Sequence, residues 1–316
     1  MRVVFITHND LGLACLTELR DLGADIQAVV TRPPDPDIAD QTSFESFTSR
    51  YDIDHHEVED LNTPSVEETI RSYEPELLFV VGWSRLVEQP IIDIASVATL
   101  GMHPAPLPRG RGRAPIAWSL IKGLSETRLC CFHLVEAADA GDIAASVPIP
   151  IDIDDDAQSL YTKVVAAGRE IIHEIQTQYD AGAIERHPQD DDAATWWPKR
   201  TPTDGLIDWH QPPGDIHDWI RGQSRPYPGA FTYLDDEKVT CWASRPPSGT
   251  TAFVTPGEIA HTDGEALGVG AWEGHIELTS VQFGDDAVIP AAELLDRYDV
   301  SVGDRFTDVR DIAVSH

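Results

Sequence analysis

His103 and Asp139 are the residues of this chain best suited to acid–base chemistry. His103 opens a loop rich in proline, glycine and arginine, and Asp139 opens the turn Asp139-Ala140-Gly141-Asp142. A carboxylate beside an imidazole fixes its tautomer and stabilises its cation, so such a pair can move a proton near neutral pH. For an arbitrary histidine and aspartate, filling a turn and capping a structure are the more common roles.

The elements that must position this pair follow an alternating α/β pattern. The apolar run over 77–81 predicts a buried central strand, and strand-like runs over 2–7 and 26–31 enclose a stretch with helical spacing. Together they predict a right-handed βαβ unit, and ligands of open α/β sheets bind beyond the carboxyl ends of strands. The turn at Asn9 lacks GxGxxG, so we expect no dinucleotide site there. Asn9 is a candidate for binding a phosphate or sugar group, with a plain helix cap as the alternative.

The residues around the pair resemble a known signature. The pattern is His-Pro-x-x-Leu-Pro-Arg-x-Arg-Gly-x-Ala-Pro-Ile-x-Trp over 103–118, followed by Asp-x-Gly-Asp-Ile over 139–143. It resembles the active-site signature of the 10-formyltetrahydrofolate-dependent formyltransferases, which include methionyl-tRNA formyltransferase, glycinamide ribonucleotide transformylase and amino-sugar N-formyltransferases. The resemblance implies that His103 donates to the oxyanion or shuttles the proton. It implies that Asp139 holds the histidine and accepts the proton of the attacking amine.

One position departs from that family. The family has Asn-x-His where this chain has Gly101-Met102-His103. The asparagine would donate a hydrogen bond to the oxyanion, and losing one such donor typically costs about 10²–10³ in rate. Three explanations compete: the backbone N–H of Gly101 replaces the amide, a side chain such as Asn9 or Arg113 fills the space, or the protein transfers another group or none. We favour the first two together.

The resemblance also implies the remaining site residues. In this family the segment after the central strand wraps the pterin ring of folate, so Trp83, Arg85 and Leu86 are candidates for binding the co-substrate 10-formyltetrahydrofolate. Core packing is the alternative for Trp83 and Leu86. Asp142 is a further candidate for the folate site, and Arg113 is expected to position the acceptor.

The resemblance covers nearly the whole chain and implies its domain organisation. After a polar linker over 187–199 come short strands with Gly/Asp turns, and the runs DGLIDW and RPYPGAF resemble the C-terminal domains of methionyl-tRNA formyltransferase and of the formyltransferase that acts on UDP-4-amino-4-deoxy-arabinose. The expected fold is α/β. A Rossmann-like, mostly parallel sheet forms a formyltransferase domain over 1–186, and a small OB-like β-barrel follows over 200–316.

Composition bears on the acceptor. The chain has 54 acidic and 23 basic residues and a formal charge of −31, which disfavours a general nucleic-acid binder because phosphate contacts need Lys and Arg. Methionyl-tRNA formyltransferases carry a basic loop after the second strand, whereas here the segment 32–37 is short and acidic. We therefore favour a small amine on a nucleotide-linked sugar. Methionyl-tRNA is the second choice, and a catalytically silent folate- or nucleotide-binding protein the third.

Three further patterns give local expectations. His55 and His56 lie among carboxylates but without a defensible ligand geometry, so we expect a solvated acidic edge and no metal site. Ser65-x-x-Glu68 predicts a capping box. An apolar run predicts a strand over 148–153.

The expected compartment follows from cysteines and apolar runs. The four cysteines form no CxxC pair and predict reduced, buried thiols. The chain begins with a short strand rather than a signal peptide, and no run reaches transmembrane length. We therefore expect a cytoplasmic protein with no membrane partner, and a homodimer stays an open alternative.

The acidic, lysine-poor composition predicts adaptation to high salt. Only four lysines occur in the chain. We expect a higher melting temperature in molar KCl than in low salt, because screening relieves the self-repulsion of the acidic surface. Thermal unfolding followed by circular dichroism measures this, with a protein of balanced charge as the control for non-specific salt effects. Equal melting temperatures in the two salts would refute the halophilic hypothesis.

Overall fold

The computed structural model describes residues 1–35, 41–83, 85–246 and 254–307. The chain divides into two compact units. The first comprises 1–115, 126–150 and 161–198, and the second comprises 116–125, 151–160 and the chain from Lys199 onward.

The first unit is built on β-strands that pair mostly in parallel. Its strands are β1 (Arg2–Thr7), β2 (Asp25–Thr31), β3 (Asp54–Glu57), β4 (Leu77–Val81), β5 (Ala98–His103), β6 (Arg111–Gly112), β7 (Glu126–His133), β8 (Ile143–Pro150) and β9 (Trp196–Trp197). Seven of them form one sheet in the order β3-β2-β1-β4-β5-β7-β8, and β6 pairs separately with β9. The first five strands of that sheet are parallel, whereas β7 and β8 are antiparallel.

This topology confirms the predicted α/β fold with a mostly parallel sheet. The strand order reverses between β1 and β4, and the loops at their carboxyl ends therefore meet at a topological switch point. The central strand spans the predicted residues, and all five of its side chains are buried. Phe5 and Phe79 stack with ring centroids 5.4 Å apart, which ties β1 to β4 on one face of the sheet.

Helices occur in both units, and those that begin after residue 198 belong to the second unit. They are α1 (Asp10–Asp21), α2 (Glu45–Tyr51), α3 (Pro64–Ser72), α4 (Gln89–Ile92), α5 (Pro115–Ile121), α6 (Ala157–Asp180), α7 (Pro213–Arg221) and α8 (Leu294–Arg297). Ile70 of α3 and Ile91 of α4 belong to a buried cluster with Val4 and Leu78 of the sheet. Helices this short are not stable in water on helix propensity alone. The burial of these apolar side chains against the sheet supplies most of the stabilisation that they need.

Two local expectations are wrong. Helix α3 is capped by Thr63, whose Oγ1 accepts the N–H of Val66 at 3.4 Å, with Pro64 at the first helical position, so the helix begins earlier than a cap at Ser65 would place it. The strand predicted over 148–153 is β8, which begins at Ile143 because it pairs with β7 from that residue onward.

The second unit is antiparallel. Its strands are β10 (Ala230–Leu234), β11 (Glu237–Ser244), β12 (Ile259–Thr262), β13 (Leu267–Ala271), β14 (Gly274–Phe283) and β15 (Ile289–Pro290). They follow the order β10-β11-β14-β13-β12, with β15 also paired to β14. The segment 305–307 bridges to Tyr233 of β10 and to Glu258 beside β12, so it joins the two ends of this order. The arrangement agrees with the expected small β-barrel domain, and Trp209 stacks on Phe306 inside it at 5.7 Å.

No helix in the part of the chain that the structure describes has the length and apolar composition needed to span a bilayer.

The four cysteines are free and buried, as the sequence predicts. Burial raises the pKa of Cys130 to about 11 and that of Cys241 to about 12, and it raises the pKa of Cys15 and Cys131 as well. The thiolate is the reactive form, so its population near pH 8 is very small in the native protein.

We therefore expect a chromogenic thiol reagent at pH 8 to find almost no fast-reacting thiol until the protein unfolds. After unfolding in guanidinium chloride, all four cysteines should react. The variant Cys241→Ala serves as the control and should release one thiol fewer. Stoichiometric, rapid modification of the native protein would contradict the burial described above.

Candidate active site

His103 is the last residue of β5, and its side chain is buried beside the loop that follows. The ring Nε2 lies 2.8 Å from the carbonyl oxygen of Gly110. A carbonyl can only accept, so Nε2 donates and Nδ1 is left to face the carboxylate of Asp139. The distance from Nδ1 to Asp139 Oδ1 is 3.7 Å. The structure thus brings the two sequence-predicted residues together across a gap slightly longer than a hydrogen bond.

Asp139 lies in the connection between β7 and β8 in a left-handed conformation, with φ of 54°. Its Oδ2 accepts the backbone N–H of Gly112 at 2.8 Å. Gln189 Nε2 donates to the carbonyl of Asp139 at 2.8 Å and to that of Gly141 at 2.7 Å. Aspartate tolerates the left-handed region better than most residues, and the bonds from Gln189 fix the turn that aims its carboxylate.

Arg111 completes this support, and sequence reasoning assigned it no role. Its buried guanidinium donates from Nη2 to Gln189 Oε1 at 2.9 Å and to Asp191 Oδ1 at 2.7 Å. Both acceptors belong to the segment predicted to be a linker. The only available sequence signal was the arginine-rich loop itself, because a contact over about eighty residues leaves no local pattern.

The loop after His103 is pinned by backbone pairing between β6 and β9. Gly112 has φ of 107°, and a Cβ there would lie 2.5 Å from the carbonyl oxygen of Trp197. A Cβ at Gly110 would lie 2.7 Å from the ring of the same tryptophan. Both positions therefore require glycine, because Trp197 lies too close to the loop backbone for any side chain to fit between them.

Gly101, at the position of the family asparagine, lies inside β5. It pairs with Val80 of β4 on one side and Phe132 of β7 on the other. Its backbone N–H therefore lies within the sheet and not toward a ligand above it. This contradicts our first explanation, in which that N–H replaces the missing amide.

Apolar side chains lie where a side chain at position 101 would project. A Cβ at this position would lie 2.9 Å from Leu134 Cδ2 and 3.2 Å from Phe132 Cζ. Residues 101 and 103 share a face of the strand, so this apolar surface adjoins His103. The three atoms nearest to a Cβ at this position belong to Leu134 and Phe132 and not to Asn9 or Arg113, the side chains named in the second explanation.

The three candidates after β4 differ in their exposure to solvent. Trp83 is half-buried, packs against the core of the first unit and meets the ring of His8 edge to face at 6.1 Å. Leu86 is 63% exposed, so core packing is wrong for this residue. Arg85 is also exposed, and its Nη1 donates to the carbonyl of Glu59 at 2.8 Å.

Asn9 caps a helix at the switch point. Its Oδ1 accepts the N–H of Gly12 at 3.2 Å, which is the plain role offered as the alternative. The side chain lies against Gly82, where a Cβ would be 2.3 Å from Asn9 Nδ2. The ends of β1 and β4 are therefore packed directly on one another.

Arg113 and Asp142 lie on either side of the Asp139 turn in sequence. Arg113 is exposed, and its backbone N–H donates to the carbonyl of Trp197 at 3.0 Å. Asp142 Oδ2 lies 3.4 Å from Arg186 Nη1. Its carbonyl accepts the N–H of His133 at 2.9 Å, so Asp142 helps to hold the end of β7.

The other histidines of the first unit make local hydrogen bonds. His55 Nε2 lies 2.9 Å from Thr31 Oγ1, and His56 Nε2 lies 2.8 Å from the hydroxyl of Tyr73. Burial lowers the pKa of His55 and of His133. These contacts give His55 and His56 structural roles on the edge strand.

A cavity of about 880 Å³ opens beyond the carboxyl ends of β2 and β3. It is lined by Thr31, Arg32, Pro34, Asp35, Gln41, Thr42, Ser43, Phe44, Glu45, His55 and Glu57. His103 and Asp139 are not part of this lining, so the cavity is separate from the pair.

Solved structures share this fold at low sequence identity. HypX from Aquifex aeolicus in complex with tetrahydrofolic acid matches at 20% identity and a TM-score of 0.66, over 97% of this chain and 50% of that one. WlaRD, a sugar 3N-formyltransferase whose structure was solved in the presence of dTDP and 5-N-formyl-THF, matches at 14% sequence identity and a TM-score of 0.68. This match covers 91% of the present chain and 99% of WlaRD. The N-formyltransferase of Helicobacter canadensis, in complex with folinic acid and dTDP-3-aminofucose, matches at 16% sequence identity and a TM-score of 0.64. This match covers 88% of the present chain and 98% of the Helicobacter protein.

The chain spans about half the length of the HypX structure that it matches. Residues 1–176 match the family model described as formyl transferase, and residues 199–299 match that described as formyl transferase, C-terminal domain. The first match alone extends over more than half of the chain and includes His103 and Asp139, and the second coincides with the antiparallel unit. The chain therefore belongs to the formyl transferase family.

Proposed function

We propose that this protein transfers a formyl group from 10-formyltetrahydrofolate to the primary amine of a nucleotide-linked amino sugar. The observation that supports the proposal most directly is the approach of His103 Nδ1 to Asp139 Oδ1, 3.7 Å apart at the carboxyl edge of the sheet. The formyltransferase signature that the surrounding residues resemble implies catalytic roles for these two side chains.

The reaction fixes what these residues must do. A C–N bond forms between the acceptor nitrogen and the formyl carbon, the bond from that carbon to the folate nitrogen breaks, and one proton passes from the first nitrogen to the second. The amine must lose its proton, and the carbonyl oxygen carries negative charge in between. Asp139 is the acceptor for that proton. Because Nε2 of His103 donates to the Gly110 carbonyl and Nδ1 faces Asp139, His103 takes the proton at Nδ1 and carries it onward, and it donates to the oxygen only if the ring leaves Gly110.

The end of β4 fits a folate co-substrate, which supplies the formyl group. Trp83 offers a half-buried aromatic face and Leu86 an exposed apolar one, both suited to a flat pterin ring. The exposed guanidinium of Arg85 is suited to the carboxylates of folate. Asp142, on the far side of the Asp139 turn, stays a candidate for the same co-substrate.

The choice of a nucleotide sugar rests on two kinds of support. Two fold neighbours were crystallised with dTDP or dTDP-3-aminofucose, although they share only 14% and 16% identity with this chain. The net charge of −31 disfavours an extended tRNA contact. In the segment 32–37, Arg32 lies 3.4 Å from Asp35, so its charge is already paired; residues 36 and 37 lie outside the described residues. Asn9 and the exposed Arg113 are the candidates for contacting the acceptor.

The oxyanion has one donor fewer than the family pattern provides. Leu134 and Phe132 occupy the side of β5 where an asparagine amide would project. Apolar side chains there would limit the access of water and strengthen the electrostatic interactions of His103 and Asp139 with the reacting groups. We propose that the protein is an active transferase on this basis, with rate lost to the missing donor and partly recovered by desolvation.

The decisive test is formyl transfer to dTDP- and UDP-linked amino sugars, followed by mass spectrometry of the product and release of tetrahydrofolate. His103→Ala and Asp139→Asn should each lower kcat by about 10²–10⁴, because each removes a group that handles the proton. His173→Ala is the matched control, since that exposed histidine forms a surface pair with Glu18 at 2.7 Å. It should leave kcat unchanged.

Two other outcomes would select the alternatives. Formylation of methionyl-tRNA without any sugar product would favour the tRNA enzyme. Folate binding without turnover on any amine would favour a silent binding protein.

The Leu134 contact predicts the effect of restoring the asparagine. Gly101→Asn should destabilise the protein by about 1 kcal/mol, because its Cβ falls 2.9 Å from Leu134 Cδ2 and 3.2 Å from Phe132 Cζ, so that the partly buried leucine side chain must move. Adding Leu134→Ala should recover much of that stability. It should also raise kcat above that of Leu134→Ala alone, because the amide then has room to donate.

Chemical denaturation and steady-state kinetics on the two single variants and the double variant measure both effects. A Gly101→Asn protein as stable as the wild type would contradict the packing role of Leu134.

A further inference from the structure

We propose that the second unit contains a metal site, formed by His261, His275 and Glu277, that binds a divalent transition metal such as Zn²⁺. His261 belongs to β12, and the other two residues belong to β14. The proposal concerns a site apart from the His103–Asp139 pair and does not depend on the proposed transfer reaction.

Strand register brings the three side chains together. His261 pairs with Gly268 of β13, and Gly268 pairs in turn with Glu277 of β14. These residues therefore form one row across three strands, and His275 lies on the same face as Glu277 because it is two residues away. Strands are roughly 4.8 Å apart, so side chains on β12 and β14 ordinarily do not touch.

Gly268 removes the obstacle between them. A Cβ at this position would lie 2.2 Å from His261 Cε1 and 2.5 Å from its Nδ1. The ring of His261 thus lies flat over the middle strand and reaches the carboxylate beyond it. The glycine is required by this close approach, since any side chain would push the ring away.

The three groups converge on one point. His261 Nε2 lies 3.0 Å from Glu277 Oε1, and His275 Nε2 lies 2.9 Å from the same oxygen. One ligand atom from each residue fits within 4.8 Å of the others. Zn²⁺ with bonds near 2.1 Å holds its tetrahedral ligands roughly 3.4 Å apart, so an ion enters with only a small outward movement of the rings.

One buried oxygen points to a ligand. Glu277 Oε2 has no hydrogen-bond partner among the described residues, and neither has His275 Nδ1, which lies on the opposite side of its ring from the Nε2 that would bind the metal. A buried carboxylate oxygen without a partner is costly, and a carboxylate that binds a cation through either oxygen relieves that cost. Two other carboxylates of this unit, those of Asp263 and Glu265, are paired with Arg245 at 2.6 and 2.9 Å. They therefore do not compete with Glu277 for a metal ion.

The donor set and its exposure indicate the kind of metal. Two imidazole nitrogens and one carboxylate oxygen suit Zn²⁺ and neighbouring divalent ions better than Mg²⁺ or Ca²⁺, which prefer oxygen. The side chains of His275 and Glu277 are 11% and 18% exposed, whereas that of His261 is 45% exposed. The metal would thus have one open side, where water or an exogenous group completes its coordination.

The site is tested on untagged, chelator-stripped full-length protein in molar KCl, which suppresses weak binding to the acidic surface. Equilibrium dialysis against Zn²⁺, with metal quantified by mass spectrometry, should give one tightly bound equivalent. Co²⁺ should give intense visible absorption typical of a four-coordinate site with nitrogen ligands. His275→Ala and Glu277→Gln should each weaken binding by at least about 100-fold, since each removes a direct ligand.

Three variants complete the design. His261→Ala removes the most exposed ligand and keeps the test valid if a buried change impairs folding. Gly268→Ala should weaken binding without altering a ligand. His173→Ala removes a surface histidine paired with a carboxylate elsewhere and should have no effect. Absence of a stoichiometric Zn²⁺, or equal binding by His261→Ala and the wild type, would overturn the proposal and leave a hydrogen-bonded His–Glu–His cluster.

Discussion

The geometry of the candidate active site depends on the hydrogen bonds that hold Asp139 in its left-handed turn. A non-glycine residue in that region carries strain, which persists only where surrounding contacts over-determine it. Gln189 provides two such contacts, to the carbonyls of Asp139 and Gly141, and the buried Arg111 holds Gln189 in place. The carboxylate is therefore aimed at His103 by a network that begins fifty residues away, in a segment whose composition resembles a linker.

A second constraint comes from the pairing of β5 with two neighbours. Gly101 and His103 belong to a strand enclosed by β4 and β7, so backbone donors there are committed to the sheet and only side chains can serve a substrate. With glycine at 101, the face beside His103 is apolar and formed by Leu134 and Phe132. Under the proposed reaction, the site would therefore lack one directed hydrogen bond, and apolar side chains would occupy the place of its donor.

Sequence patterns predicted much of the fold, because burial and strand periodicity are local signals. The central strand at 77–81, the parallel sheet and the antiparallel second domain agree with the structure. The His103–Asp139 contact followed from the family resemblance. What the sequence left open depends on register and on distant partners: the Gln189 support, the Leu134 contact and the alignment of His261 with Glu277 across Gly268. A shift of one residue between β12, β13 and β14 would remove the last of these contacts, and no local pattern records the register.

The acidic surface and an anionic substrate are compatible if attraction is confined to short range. A net charge of −31 repels a nucleotide diphosphate at low ionic strength, but in molar salt the Debye length falls to about 3 Å, so distant carboxylates contribute little. Contacts at hydrogen-bond distance are screened far less, and the exposed Arg113 lies one residue from Gly112, whose N–H binds Asp139. High salt would therefore remove the long-range penalty while preserving the local cation. On this view the salt adaptation expected from composition is compatible with the proposed phosphorylated sugar, because only the contacts at short range decide whether such a substrate binds.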